Sequence, residues 1–337
     1  MARTVYIPDG QEFPRQADVV IIGGGVIGAA TAFYAARAGL RSVVLEAQDG
    51  LAMLTTAVSA GTWRLHFPQA ALVSLVQASL SVYQQFAEAV GLREWDIGFH
   101  PQGGLYATAS PQGPEAFAAV AQAQRTAGVT DVEALTGPEA RRRFPFLAGE
   151  VTAASFRAGD GWLSPHQVTY GFALASGAVF LLRSRATAIR TDARGVAGVV
   201  TRWGTVQTRT VVVAAGSFSG IVAAWLGVRL PFRLTRLQNV FYAEPTVPAA
   251  APVTVDWDNG GYWRPEAGGG LVGWSDPAER EMPPAERVTS DWDFPAVALE
   301  KVARLSPFWG EVAPALKRRQ VYQGAGQVPL TADGLPL

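Results

Sequence analysis

Six residues, Gly23-Gly-Gly25-Val-Ile-Gly28, stand directly between an apolar run, Asp18-Val-Val-Ile-Ile22, and an alanine-rich segment, Val26 to Ala38, that ends before Gly39. The run reads as a buried parallel strand and the segment as a buried helix with a glycine C-cap. Arg41 to Glu46 reads as a second strand, so residues 18–46 predict one compact βαβ unit. Each glycine then has a physical task. Gly23 permits the tight turn, Gly25 lets backbone approach a pyrophosphate, and Gly28 allows close helix–strand packing, while Val26 and Ile27 open a helix whose N–H groups and dipole favour an anion. Glu46 closes the second strand 18 residues beyond Gly28, beside Ala47. A carboxylate there accepts hydrogen bonds from a ribose diol and disfavours a 2′-phosphate. The pattern serves NAD and FAD equally well.

Val19 to Ala36 carries no charge, yet it does not read as a membrane span. It follows Arg15 and Asp18, is broken by glycines, and changes from β-branched to alanine-rich. Residues 1–17 contain Asp9, Glu12 and two prolines rather than an apolar core, so they read as an irregular arm and not as a signal peptide. The chain has no cysteine, which removes thiolate metal sites, iron–sulfur clusters and thiol-linked cofactors and fits a cytoplasmic location. Its 28 basic residues balance 28 acidic ones, leaving no electrostatic case for nucleic acid. Three scattered histidines, His66, His100 and His166, give no metal site.

Along the 337 residues, Leu72 to Val90 carries apolar side chains at helical spacing, predicting one helix of about five turns that stops at Gly91. Gly103 to Ala109 reads as a strand and Pro114 to Ala127 as a helix. Thr136-Gly-Pro-Glu139 is a capping box opening a short helix through Arg143. Short β-rich runs follow from Val179 to Ala215 and again over 234–275, with turns at Trp203-Gly204 and at Glu266 to Gly270. This order predicts an α/β chain with a dinucleotide part and a sheet-rich α+β part.

Three further motifs carry a family resemblance. Val211 to Gly216, after a β-meander, resembles the second dinucleotide motif of two-domain flavoproteins. Ser59-Ala-Gly61-Thr-Trp-Arg64 resembles a loop running beneath a flavin, and Pro329-Leu-Thr-Ala-Asp-Gly-Leu-Pro336 resembles a segment that precedes the flavin-closing C-terminus. With Gly261-Tyr-Trp-Arg-Pro265, residues 18–337 are similar to the D-amino-acid-oxidase-like FAD oxidoreductases, nearest the branch of glycine oxidase, the sarcosine oxidase β-subunit and dimethylglycine dehydrogenase.

The resemblance implies a glutathione-reductase-like, Rossmann-type FAD domain (18–95, 150–230 and 320–337) interleaved with a substrate domain (96–149 and 231–319). It implies cofactor contacts at Gly23, Gly25, Val26, Ile27, Gly28, Glu46, Ala47, Ser59, Gly61, Arg64, Ala215 and Gly216. The implied reaction oxidises a C–N bond of a small amine or amino-acid-like substrate by hydride transfer to flavin N5, with oxygen or another electron acceptor completing the cycle. Tyr262 and Arg264, two apart on one strand, are candidates to hold a substrate carboxylate, or else a solvated strand face. His66 is a third candidate. In some members a histidine near this point carries the flavin covalently, whereas the residues around His66 favour a packed histidine and non-covalent FAD.

Several positions depart from the family pattern. Val328 stands where amino-acid-specific members place an arginine, no lysine occupies the place used in oxygen activation, and Leu51-Ala-Met-Leu54 is bulky where a Ser/Gly loop is usual. Pro165 to Gly177 reads as ~4 residues, one helical turn, shorter than in relatives. The chain ends at Leu337, where relatives continue into the segment that closes the flavin site. The alternative expectations are therefore a non-catalytic or incomplete flavoprotein chain that relies on a partner subunit, and a plain NAD dehydrogenase.

Overall fold

The computed structural model describes residues 4–9, 12–67 and 69–333. Four-residue strands Val19–Ile22 and Ser42–Leu45 are buried throughout, as expected of β-branched runs covered on both faces. They pair in parallel at the centre of a five-stranded sheet whose order is Val5–Tyr6, Val179–Leu181, Ser42–Leu45, Val19–Ile22 and Thr210–Val213. Helix Val26–Arg37 returns between the first two strands and packs with helix Pro165–Ala175 on one face. A three-stranded meander, Ala186–Asp192, Gly195–Thr201 and Gly204–Gln207, covers the other. The predicted α/β dinucleotide fold is thus observed.

An eight-stranded mixed sheet forms the second layer system. Its order is Val321–Thr331, Phe232–Tyr242, Gly269–Trp274, Tyr262–Glu266, Val253–Asp256, Gly104–Thr108, Ala153–Arg157 and Glu133–Thr136. Only Val253–Asp256 against Gly104–Thr108 is parallel. Helices Phe294–Ala303 and Phe308–Val312 cover part of it around Trp263 and Trp309. Ala153–Arg157 and Val321–Thr331, which fall in the ranges expected for the FAD domain, pair in this larger sheet. The capping box at Thr136 forms as expected, with Glu139 accepting from the Thr136 backbone N–H at 2.9 Å and from its hydroxyl at 2.7 Å.

Two sequence expectations are corrected. The stretch through Val90 is two helices, Ala70–Gln84 and Phe86–Val90, because Gln85 leaves helical geometry at φ −128° and ψ 39°. That break turns Phe86 onto Phe172 and over Gly171, where an added Cβ would sit 2.4 Å from the ring. Nor is the N-terminal arm irregular throughout. Val5–Tyr6 pairs with Val179–Leu181, and Phe13 and Ala17 are buried, so the arm extends the parallel sheet and covers its apolar edge.

Candidate active site

The glycine loop has the geometry that its spacing predicts. Gly23 has φ +115°, and a Cβ there would lie 2.3 Å from the Ala214 carbonyl oxygen; at Gly28 it would lie 1.9 Å from the Gly23 carbonyl oxygen. The strand, turn and helix therefore interlock through absent side chains. Gly25 is the N-cap of the helix and supplies no side-chain cap, and the first turn holds no acidic residue. The helix end, with exposed Ile27 beside Val26, is open to a phosphate.

Glu46 reaches the same loop. Its two carboxylate oxygens each accept a backbone N–H at 2.7 Å, one from Gly24 and the other from Gln48. Burial pushes its pKa up from the ordinary glutamate value, while N–H groups of Gln48, Gly24 and Ala47 and the charge of Arg185 oppose the shift. Each oxygen retains acceptor capacity for a ribose hydroxyl. Leu51, of the bulky segment Leu51 to Leu54, packs against Gly24 and is fully buried.

Four distant segments converge beyond this loop. A cavity of about 200 Å³ is bordered by Thr55, Val58, Ser217, Glu286, Gly326 and Gln327, and Thr55 donates to the Gln327 carbonyl at 2.8 Å. Ala215 and Gly216 lead into it through a one-turn 3₁₀ helix, with Gly216 at φ +54°. The loop after Val58 continues with Ser59, whose hydroxyl accepts from Gly61 N–H at 3.1 Å. Gly61 is required by its φ of +66° and by the Leu163 carbonyl oxygen, which would lie 2.2 Å from a Cβ at that position. A glycine-opened helix end whose Val26 N–H meets the Thr56 hydroxyl at 3.4 Å, the buried Glu46 carboxylate beside it and the cavity bordered by Gly326 fit an extended dinucleotide.

A larger cavity of about 760 Å³ adjoins this loop through Ala60, Thr62 and Trp63. Tyr262 lines it, its ring lying over Gly273 directly across the hairpin, where a Cβ would come within 2.3 Å. Burial pushes its phenol up to about 12, so it stays a neutral donor. Arg264 does not join it. That side chain is 4% exposed, donates to the carbonyls of Ala60 at 2.9 Å and Pro265 at 3.0 Å, and pairs with Glu266 at 2.5 Å. Its role is to pin the flavin-type loop to the sheet, which corrects the expectation that Tyr262 and Arg264 clamp a substrate together.

The cavity's arginine is Arg64, expected from the resemblance to contact the cofactor. Its guanidinium donates to the Tyr106 hydroxyl at 3.1 Å and lies 5.0 Å from the Phe67 ring. Among the described residues no carboxylate pairs with it. Asp160 and Asp256 also line the cavity, but both are engaged. Asp160 accepts from Leu65 N–H at 3.0 Å, from Arg157 at 2.7 Å and contacts His66 Nδ1 at 2.7 Å, whereas Asp256 is paired with Arg304. His66 is buried behind this wall, its ring 4.3 Å from that of Tyr106 and its Nε2 without a partner.

Sequence reasoning missed Tyr106, Asp160 and Trp257. The signal for Asp160 was present in Gly159-Asp-Gly161, a carboxylate bracketed by glycines three residues after Arg157 and just before Trp162 and Leu163. Of the C-terminal motif, Pro329 to Thr331 ends the long strand, while Gly334 to Pro336 lies outside the described residues. No group of three or more potential metal ligands occurs among the described residues, and none of their helices is long and apolar enough to cross a membrane.

The parallel sheet, its glycine turn and the second cavity define a dinucleotide-binding type of fold with a cavity against the mixed eight-stranded sheet. The family model described as DAO, FAD dependent oxidoreductase, matches residues 18–337, and the chain belongs to that family. FAD is accordingly the cofactor. The chain is 27% identical over 277 residues to mitochondrial dimethylglycine dehydrogenase of Rattus norvegicus, covering 79% of this chain and 32% of that protein. It is 27% identical over 326 residues to 4-methylaminobutanoate oxidase (formaldehyde-forming) of Paenarthrobacter nicotinovorans, covering 95% of this chain and 37% of that protein. It thus spans about a third of the length of these curated relatives. Among solved structures, L-proline dehydrogenase from P. horikoshii superposes with a TM-score of 0.83 at 22% identity, covering 96% of this chain and 84% of that one. Glycine oxidase from Geobacillus kaustophilus gives 0.82 at 24%, covering 96% and 85%. These two likenesses establish the fold.

The Glu46 contacts lead to a pH prediction. Burial favours its protonated form, so its stabilising contribution to the cofactor-free chain is present at low pH and is lost as pH rises through its raised folded value. Ribose hydroxyls donating to the carboxylate favour the ionised form instead. FAD affinity is therefore expected to rise as pH climbs from the ordinary glutamate range through the raised folded value of Glu46, and then to level off. In Glu46→Gln the pH step should vanish and affinity fall about tenfold or more, since the amide turns a donor toward one of two backbone N–H groups. Flavin fluorescence titration checks both; an unchanged pH step in the variant would reassign it.

Proposed function

We propose that this chain is an FAD-dependent enzyme that oxidises the C–N bond of an amine or amino-acid-like substrate, with FAD held non-covalently. Bound flavin supplies a hydride acceptor at N5. The observation that carries the reading is Arg64: a cation that no described carboxylate pairs, in a cavity contiguous with the cofactor loop, lined largely by aromatic and aliphatic side chains and by two carboxylates, Asp160 and Asp256, that are each engaged by another arginine. A guanidinium in that position matches a substrate carboxylate bidentately, with Tyr106 and Phe67 holding its plane. Tyr262, kept neutral, can accept or donate a hydrogen bond to the amine. Loss of the carbon-bound hydride and one nitrogen-bound proton leaves an imine, which water hydrolyses to a carbonyl compound and the shorter amine. The names of the dimethylglycine and 4-methylaminobutanoate enzymes, both acting on N-methylated compounds, support this substrate class.

Neither lysine lines the cavity; Lys301 lies 4.8 Å from the Trp274 ring and Lys317 is on the outer segment before the last strand. Poor use of oxygen relative to another acceptor is therefore part of the proposal. The test is to denature purified protein, identify the released cofactor, and then follow anaerobic bleaching of the flavin by an amine panel. Released FAD, bleaching by N-methyl amino acids, and turnover at least about tenfold faster with an artificial acceptor than with oxygen are expected. Failure to take up FAD, or reversible hydride transfer from NADH without flavin, would overturn the reading.

A further inference from the structure

The substrate cavity is selective in a way that the reaction itself does not require. One wall is helix Ala70–Gln84, which contributes Leu75, Val76, Leu80 and Tyr83, and no charged residue occurs between Leu65 and Ala87. The opposite wall is strand Val253–Asp256, whose Val253 and Val255 face the same space. Trp257 continues that wall to the mouth. It is 52% exposed, yet its ring is held edge-on by Tyr106 and Phe117, and its backbone N–H donates to Ala107 at 2.8 Å. Leu75, 54% exposed, stands on the rim of the same cavity. A fixed tryptophan and a leucine at a cavity mouth leave apolar area in water that a ligand can cover. Asp160 and Asp256 are both engaged by arginine, which leaves Arg64 as the lining charge that no described carboxylate pairs. The volume of about 760 Å³ also lies in the roughly 300–1,000 Å³ range of pockets that enclose drug-sized ligands.

From these walls we infer that the preferred substrate is an N-alkyl amino acid carrying a bulky apolar or aromatic side chain, its carboxylate on Arg64 and its side chain between the uncharged helix and Trp257. This rests on the proposed amine oxidation and adds the side-chain class to it. A glycine-sized substrate would engage Arg64 but leave both apolar walls wet. An isobutyl or benzyl group displaces that water, and a single methylene in an apolar pocket already changes kcat/KM by roughly 10-fold or more.

The experiment uses the FAD-loaded enzyme and compares sarcosine, N-methylleucine, N-methylphenylalanine and the carboxylate-free N-methylphenethylamine, by anaerobic flavin bleaching and by turnover with an artificial acceptor. N-methylphenylalanine is expected to exceed sarcosine at least about 30-fold in kcat/KM, and Arg64→Gln to weaken it through KM, with a larger loss than for the carboxylate-free amine. Trp257→Ala, at an exposed position, should lower kcat/KM for N-methylphenylalanine about tenfold more than for sarcosine, and Leu75→Glu should do the same through the rim. Equal or faster bleaching by sarcosine, or an equal loss for both substrates in both variants, would overturn the side-chain assignment while leaving amine oxidation standing. Bleaching by none of the four amines would overturn the reaction, and the side-chain assignment with it.

Discussion

Gly28→Ala is expected to yield a chain that retains no FAD and loses its cooperative fold near room temperature. The new methyl would meet the Gly23 carbonyl oxygen at 1.9 Å, so the helix cannot stay against the strand and the turn cannot keep its shape. Overpacking usually costs about 1–3 kcal/mol where side chains can yield, and here the obstacle is backbone, so the cost sits at or above the top of that range. Two companions separate folding from binding. Gly39, at φ +78° with nothing near an added Cβ, should cost only about 1 kcal/mol as alanine. Gly25, where the new Cβ would be 3.2 Å from the Thr56 hydroxyl, should give a folded chain with weakened FAD binding. The ratio of flavin to protein absorbance and the melting temperature distinguish them; full FAD occupancy in Gly28→Ala would refute the interlock.

Asp160→Asn should be the second large effect. This carboxylate is 1% exposed and receives Leu65 N–H, the Arg157 guanidinium and His66 Nδ1, so both oxygens act as acceptors. An amide can present only one acceptor oxygen and would turn N–H groups toward a donor. Breaking such a buried pair from one side costs about 3–5 kcal/mol, because the partner charge stays behind. Arg157 keeps Asp131 at 2.8 Å, which places the expected loss toward the lower end. Leu65 also positions Arg64, so kcat/KM for carboxylate substrates should fall beyond the loss of stability. His66→Gln should cost much less, since His66 Nε2 is already unpartnered. Urea unfolding at a fixed FAD concentration checks the ranking, because ligand binding itself adds stability. A His66 variant as unstable as the Asp160 variant would contradict this account.

The cofactor half of the molecule was legible because its signals are local. Gly23, Gly28 and Glu46 lie within one βαβ unit, where strand period, helix length and turn chemistry determine what meets what over fewer than 30 residues. The same locality made the capping box at Thr136 and the hairpin at Glu266 readable. The two-helix break at Gln85 was not, because apolar spacing is preserved across it and only Phe86 meeting Gly171 and Phe172 selects the kinked path.

The substrate side shows the opposite balance. Tyr262 and Arg264 share a strand face by period alone, and the sequence could not say that the neighbouring loop would pass close enough for Ala60 to capture the arginine. Arg64 reads as a loop residue until strand Gly104–Thr108 places the Tyr106 hydroxyl beneath its guanidinium, 42 residues away in sequence. The sequence by itself determined a glycine-turn dinucleotide fold and the carboxylate that serves it, since those depend on backbone sterics and short-range spacing. The tertiary structure alone decided which arginine is structural and which is free to bind an anion, because that depends on which buried charges find partners once the two sheets close on one another.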